Sequence, residues 1–241
     1  MSHWTAIAAF ILVAIGSVGT EAYYFHRRSA SAPIAETAQQ SAAHGATLIE
    51  TLETAAFDTD CTDCFLIVGL ITQDSGVSAQ SCTFNAGAMN DVVLNDVNSS
   101  TELYMVGERI TSANATVSCS WTGDSKACIL AIALENVDQT TPTNFSGTAN
   151  GSTIGSTITA TGSEDGDYVV DMLGRFSATA NPITVGTNQV EDFNIVTEAA
   201  SSNARCVASH EAATGASTVM TQDWADTARA WAAGVMSVNP L

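Results

Sequence analysis

Phe65-Leu66-Ile67-Val68-Gly69-Leu70-Ile71 is the stretch that decides the fold. It is apolar without a break and rich in aromatic and β-branched residues. Turn-forming residues bound it, with Cys61-Thr-Asp-Cys64 before and Gln73-Asp-Ser-Gly76 after. A run this short between turn signals predicts a central β-strand.

Working outward, the same punctuation recurs along the chain. Short runs of β-formers alternate with Gly, Asn, Asp and Ser from residue 46 onward. They predict strands at 47–55, 65–73, 77–85, 91–94, 102–110, 115–121, 126–134, 156–161, 168–175, 189–196, 205–211, 217–223 and 230–238. Many short strands with few helical stretches predict an all-β domain, a jelly-roll-like β-sandwich over residues 46–241. Ala230-Trp-Ala-Ala-Gly-Val-Met-Ser-Val238 is expected to be a buried closing strand.

The N-terminus reads differently. Residues 5–25 are nearly all apolar, and His26-Arg27-Arg28 follows at once. A bilayer core needs about 20 apolar residues in a helix. Ile7, Phe10, Ile11, Leu12, Val13, Ile15 and Val18 supply the apolar span. Trp4 at one end and Tyr23 and Tyr24 at the other suit the two membrane interfaces. Residues 1–28 are therefore expected to be a transmembrane helix with membrane lipid as its partner. A cleaved secretory signal is the alternative, with Ala30-Ser-Ala32 as its small-residue site. Met1-Ser-His-Trp4 lacks the Lys or Arg of such a signal, so a retained anchor is expected. Arg27 and Arg28 after the helix would keep that side cytoplasmic by the positive-inside rule, whereas a surface domain needs the opposite orientation. Residues 29–45 are Ala/Ser/Gln-rich, with Pro33 and Gly45 as start and stop signals. They are expected to form a stalk or short helix.

Charge narrows the partners. There are 25 acidic residues against 7 basic ones, and the net charge is −18. Such a surface repels phosphate backbones, so no nucleic-acid partner is expected. It favours solubility in salt.

Four segments carry a resemblance, the C-terminal Ala230-Trp-Ala-Ala-Gly-Val235 among them. Glu135-Asn-Val-Asp-Gln-Thr-Thr-Pro142 follows an apolar strand and precedes a Thr/Ser/Gly-rich segment. Around it lie Ala115-Thr-Val-Ser-Cys-Ser-Trp-Thr-Gly123 and Gly166-Asp-Tyr-Val-Val-Asp171. Over residues 46–241 this series resembles uncharacterised jelly-roll or β-sandwich modules of phage structural and prokaryotic surface proteins. The resemblance implies the sandwich fold. It implies no catalytic residues, because the group has no catalytic signature. The N-terminal helix and the cysteines depart from its usual pattern.

The six cysteines suit an oxidising compartment. If Thr122-Gly-Asp-Ser125 turns a hairpin, Trp121 faces Lys126 and Cys119 faces Cys128. Opposed residues at such a site lie within disulfide reach, so a Cys119–Cys128 bond is one expectation and two core thiols the other. Cys61-Thr-Asp-Cys64 is expected to close a local disulfide. Zinc there would need a second close pair of ligands, and the four histidines His3, His26, His44 and His210 are scattered. No metal site and no cofactor are expected.

Catalytic signatures are lacking. No G-x-S-x-G elbow, P-loop, G-x-G-x-x-G or H-E-x-x-H is present,. His210 is the one histidine of the domain and is expected on a strand face. The acidic groups Asp58/Asp60/Asp63, Glu164/Asp165/Asp167 and Glu191/Asp192 lack EF-hand spacing and are expected as solvated turn residues. Trp121 and Trp224, at strand ends, are candidates for stacking on a glycan. Sequons occur at Asn98, Asn114, Asn144 and Asn150. The expectation is a non-enzymatic, membrane-anchored virion component, a capsid, vertex or spike protein working as an oligomer or with other virion proteins. A cell-envelope adhesin or filament subunit and a carbohydrate-binding module are the alternatives.

Overall fold

The computed structural model describes residues 32–59, 61–73, 76–111, 113–177, 181–197, 203–225 and 227–241. The anchor residues Trp4 to Tyr24 and the first part of the stalk lie outside the described residues. Among the described residues, no helix is long and apolar enough to cross a membrane.

The described chain is all-β. The strands are β1 (Ala35–Glu53), β2 (Phe57–Asp58), β3 (Cys64–Thr72), β4 (Ser78–Phe84), β5 (Gly87–Ala88), β6 (Val92–Asn98), β7 (Thr101–Ile110), β8 (Asn114–Ala115) and β9 (Val117–Glu135). They continue as β10 (Thr143–Thr153), β11 (Gly155–Thr161), β12 (Tyr168–Ser177), β13 (Thr184–Val185), β14 (Val190–Val196), β15 (Asn203–Ala212), β16 (Ser217–Asp223) and β17 (Arg229–Val238). The pairings among them are antiparallel.

The first large sheet has the order β5-β4-β9-β3-β7-β6, with β1 also paired to β9. The second has the order β10-β17-β12-β15-β14. A small sheet, β11-β16-β13, lies beyond the second.

Side-chain alternation explains the stacking. On β3, Phe65, Ile67 and Ile71 face one way and Leu66, Val68 and Leu70 the other. The first set meets Leu130, Ile132 and Leu134 of β9, and packs against Val170 and Met172 of β12 and Met236 of β17. This shared core joins the two sheets as a sandwich. The second set packs beneath Phe84, Val117 and Trp121, where the first sheet curls over itself. The far face of the second sheet, with Val169, Leu173 and Val235, is covered by Ile158 and Met220 of the small sheet. Every residue of β3 is therefore buried, as its unbroken apolarity requires.

Close approach between the sheets uses glycine. A Cβ on Gly174 would run into Ile71 and Thr101, and one on Gly234 would meet Met105 and Leu103.

Two expectations change. Residues 115–121 and 126–134 are not the arms of a hairpin. From Val117 on they belong to one 19-residue strand, β9, while Ala115 ends β8. Gly123, at φ 102°, bends that strand without reversing it, and its amide donates to Glu50 Oε1 at 3.1 Å. β9 thus pairs with β4 through its first half and with β3 through its second. The stalk expectation also fails from Ala35 on. β1 runs from there and pairs with β9 from Ala35↔Glu135 onward. Bound as an edge strand, that Ala/Gln-rich segment satisfies its backbone by ladder bonds.

Candidate metal centre

The cysteines are placed first. Cys61–Cys64 forms the expected local disulfide, with Cα atoms 6.0 Å apart. The Cys119–Cys128 pairing is overturned. Cys119 bonds Cys82 on the neighbouring β4, and Cys128 bonds Cys206 across the core. Without the hairpin, Cys119 and Cys128 lie nine residues apart along one strand, about 30 Å at strand rise. The parity of β9 explains the split. Cys128 shares its face with Leu130 and Ile132, toward β15, and Cys119 packs in the other core with Trp121.

Trp121 and Trp224 are buried, 4% and 5% exposed. Neither offers a free ring face, so they are not glycan platforms. Trp121 packs with Phe84 and Val117. Trp224 is covered by the guanidinium of Arg175, 4.9 Å from its ring centre.

The acidic turns diverge. Asp167 is not solvated. It is buried, and its Oδ2 accepts from Asn144 Nδ2, Glu164 N and Ser237 Oγ at 2.8–2.9 Å. Sequon amides are similarly engaged: Asn150 Nδ2 donates to Asp96 Oδ1 at 2.7 Å, and Asn98 Nδ2 donates to the carbonyls of Gly151 and Trp231. The 135–142 segment is the crossover between the large sheets. Asp138 Oδ1 accepts the amides of Thr140 and Thr141, which hold its carboxyl below the usual carboxylate range. Val137 is fully buried, and Asp138 N donates to Asn239 O. The segment therefore locks the crossover to the C-terminal residues.

Chemistry-bearing side chains converge at one rim of the sandwich. His210 ends the inward face of β15, following Cys206 and Ala208. As expected, it lies on a strand face. Val190 of β14 pairs with it, and Glu191 pairs with Ser209. The register then slips, so that Phe193 pairs with Ala208. Asp192 is the extra residue of this bulge. Bulges re-aim side chains, and here Asp192 turns to His210, with Oδ1 2.8 Å from Nδ1. Tyr168 of β12 stacks on the imidazole, ring centres 4.5 Å apart and planes 22° from parallel. Glu36 of β1 completes the group from the first sheet. Glu36, Asp192 and His210 bring three ligand atoms within 4.8 Å of one another.

The electrostatics are strained. Burial raises the Glu36 carboxyl above its ordinary value, the nearby Asp192 charge adds to the rise, and Gln39 and His210 partly offset it. Burial, then the charges of Asp192 and Glu36, push the Tyr168 hydroxyl well above its ordinary value. The cluster draws on residues from opposite ends of the domain. The sequence signal for it was confined to the acidic pair Glu191/Asp192 and the lone His210.

No known family model, curated protein or solved structure matches this chain.

Proposed function

We propose that the chain is a non-enzymatic structural protein, a membrane-anchored virion component that works by assembly. In this reading residues 5–25 hold it to a bilayer. The domain, taken as jelly-roll-like, is the rigid face it presents to neighbouring copies or other virion proteins. The observation that carries the reading is the pairing of all six cysteines in a chain that opens with an apolar span. Disulfides persist outside the reducing cytosol. A domain with three apolar cores does not need them to fold, so their presence supports service in an exposed assembly. The resemblance of the 135–142 segment to phage structural modules points the same way.

A cell-envelope filament subunit is the second reading. Strand β10 favours it. It is an edge strand with alternate residues exposed, and an open edge can accept a neighbour's strand.

Cryo-electron microscopy of the native particles or membranes that contain the chain tests both. A shell or vertex with residues 5–25 entering a bilayer is the expected result. A helical filament with that segment in its core overturns the virion reading in favour of the second.

A further inference from the structure

One carboxylate oxygen in the rim cluster has no partner. The Asp192 side chain is 2% exposed. Its Oδ1 is engaged by His210, while its Oδ2 is buried and without a hydrogen bond. A buried charged oxygen left so is costly. A second carboxylate, Glu36, brings its ligand atom within 4.8 Å of those of Asp192 and His210. A cation held by Glu36 and by both oxygens of Asp192 would give Oδ2 its partner and neutralise the two carboxylates.

We propose that Glu36, Asp192 and His210 bind a divalent transition-metal ion, with zinc the best match. The ion would clasp β1 of the first sheet to β14 and β15 of the second. The donor set selects the metal. All-oxygen sites suit calcium and magnesium, whereas an imidazole shifts preference to zinc and its neighbours. Three protein ligands leave the fourth tetrahedral position to water. Two atoms bound to zinc at about 2.0–2.1 Å stand roughly 3.3 Å apart in tetrahedral geometry. His210 Nδ1 and Asp192 Oδ1, at 2.8 Å, need only part slightly. The stacked Tyr168 ring fixes the imidazole plane, as orienting groups do around metal ligands. The net charge of −18 favours cation capture,. The site is a rim clasp, distinct from the Cys128–Cys206 bond in the middle of the same core, and it does not depend on the virion reading.

The test uses the full chain in detergent, stripped with EDTA and titrated with zinc chloride, with manganese and calcium alongside. Bound metal is counted by mass spectrometry after dialysis, and thermal unfolding is followed with and without zinc. The expected result is one zinc per chain and a Tm that rises with zinc. Asp192→Asn and His210→Gln each weaken binding by about tenfold or more and remove the rise. Glu36→Gln, at an exposed position of β1, is the variant least exposed to folding failure and should weaken zinc in the same way. His44→Gln, outside the cluster, should retain it. Zinc held equally by all three cluster variants overturns the proposal. So does a wild-type chain that binds no zinc, which leaves Asp192 and His210 as a hydrogen-bonded pair only. Preference for calcium overturns the assignment of the metal.

Discussion

Cys128 of β9 and Cys206 of β15 face one another across the shared core, and their disulfide ties the two large sheets together. Their Cα atoms are 6.7 Å apart, and 78 positions separate them in sequence. Closing so long a loop restricts the unfolded chain, worth about 4 kcal/mol in the chain-entropy account. Replacing both residues by alanine should therefore lower the unfolding free energy by roughly 3–5 kcal/mol. Urea titration measures it. A loss below about 1 kcal/mol would mean that the bond does not restrain the fold. Non-reducing peptide mapping gives an independent check. Linked peptides should carry Cys82 with Cys119 and Cys128 with Cys206, and a Cys119–Cys128 peptide would contradict the single-strand geometry of β9.

How much of this was legible in the sequence depends on what each residue's signal competes with. Phe65–Ile71 announced β3, because a strand buried on both faces needs nothing but apolar residues. Thr143–Thr153 announced nothing. β10 is an edge strand of Thr, Ser, Asn and Gly, and its ladder to β17 comes from position in the sheet, not propensity,. Thr122-Gly-Asp-Ser125 has turn composition, yet the flanking strands β1 and β4 hold it in one bent strand. That tertiary override misled the cysteine pairing. The rim cluster was hidden for a different reason. Glu36 and His210 come from the two ends of the domain, and Asp192 reaches His210 only because of a bulge that strict alternation does not foresee,.

Gly174 should be the least replaceable small residue of the inter-sheet core. A methyl group there would meet Ile71 and Thr101 from the opposite sheet. Gly174→Ala should destabilise by about 1–3 kcal/mol, the usual cost of overpacking. If the cause is this contact, Ile71→Ala should relieve part of it, and the double variant should cost less than the sum of the singles. Additive losses, or a neutral Gly174→Ala, would show that the sheets can part at that point.

Asp171 makes stability depend on pH. It is fully buried on β12, accepts a hydrogen bond from Ser209 Oγ, and leaves its Oδ2 without a partner. Burial pushes its carboxyl up to about 7, against an ordinary value near 4. Between those values the folded chain holds a proton that the unfolded chain has lost. Stability from this group is then full below about pH 4, falls as pH rises, and reaches its minimum above about pH 7. A tenfold change in proton affinity is worth about 1.4 kcal/mol, so the whole loss is a few kcal/mol. Glu36 and Glu211, also raised by burial, lean the same way, while Asp91 and Asp138, lowered by hydrogen bonds, lean against it. The difference between wild type and Asp171→Asn isolates the one group. That difference should grow in favour of Asn between pH 4 and 8. A constant difference across the range would assign the burial cost to packing, not charge.

Ile11→Arg tests the tether, on which the structural reading depends. Ile11 lies near the middle of the Ile7–Val18 core of the apolar run, where an arginine costs about 3 kcal/mol of insertion. The domain carries its own three apolar cores and three disulfides, so loss of the anchor should not unfold it. Flotation of vesicles bearing the full chain reads the outcome. Wild type should float with lipid. The variant should stay in the soluble fraction with an unchanged β-rich circular dichroism spectrum. A variant that still floats would show that the apolar run is not what holds the chain, and that the membrane part of the virion reading must be given up even if the assembly part survives.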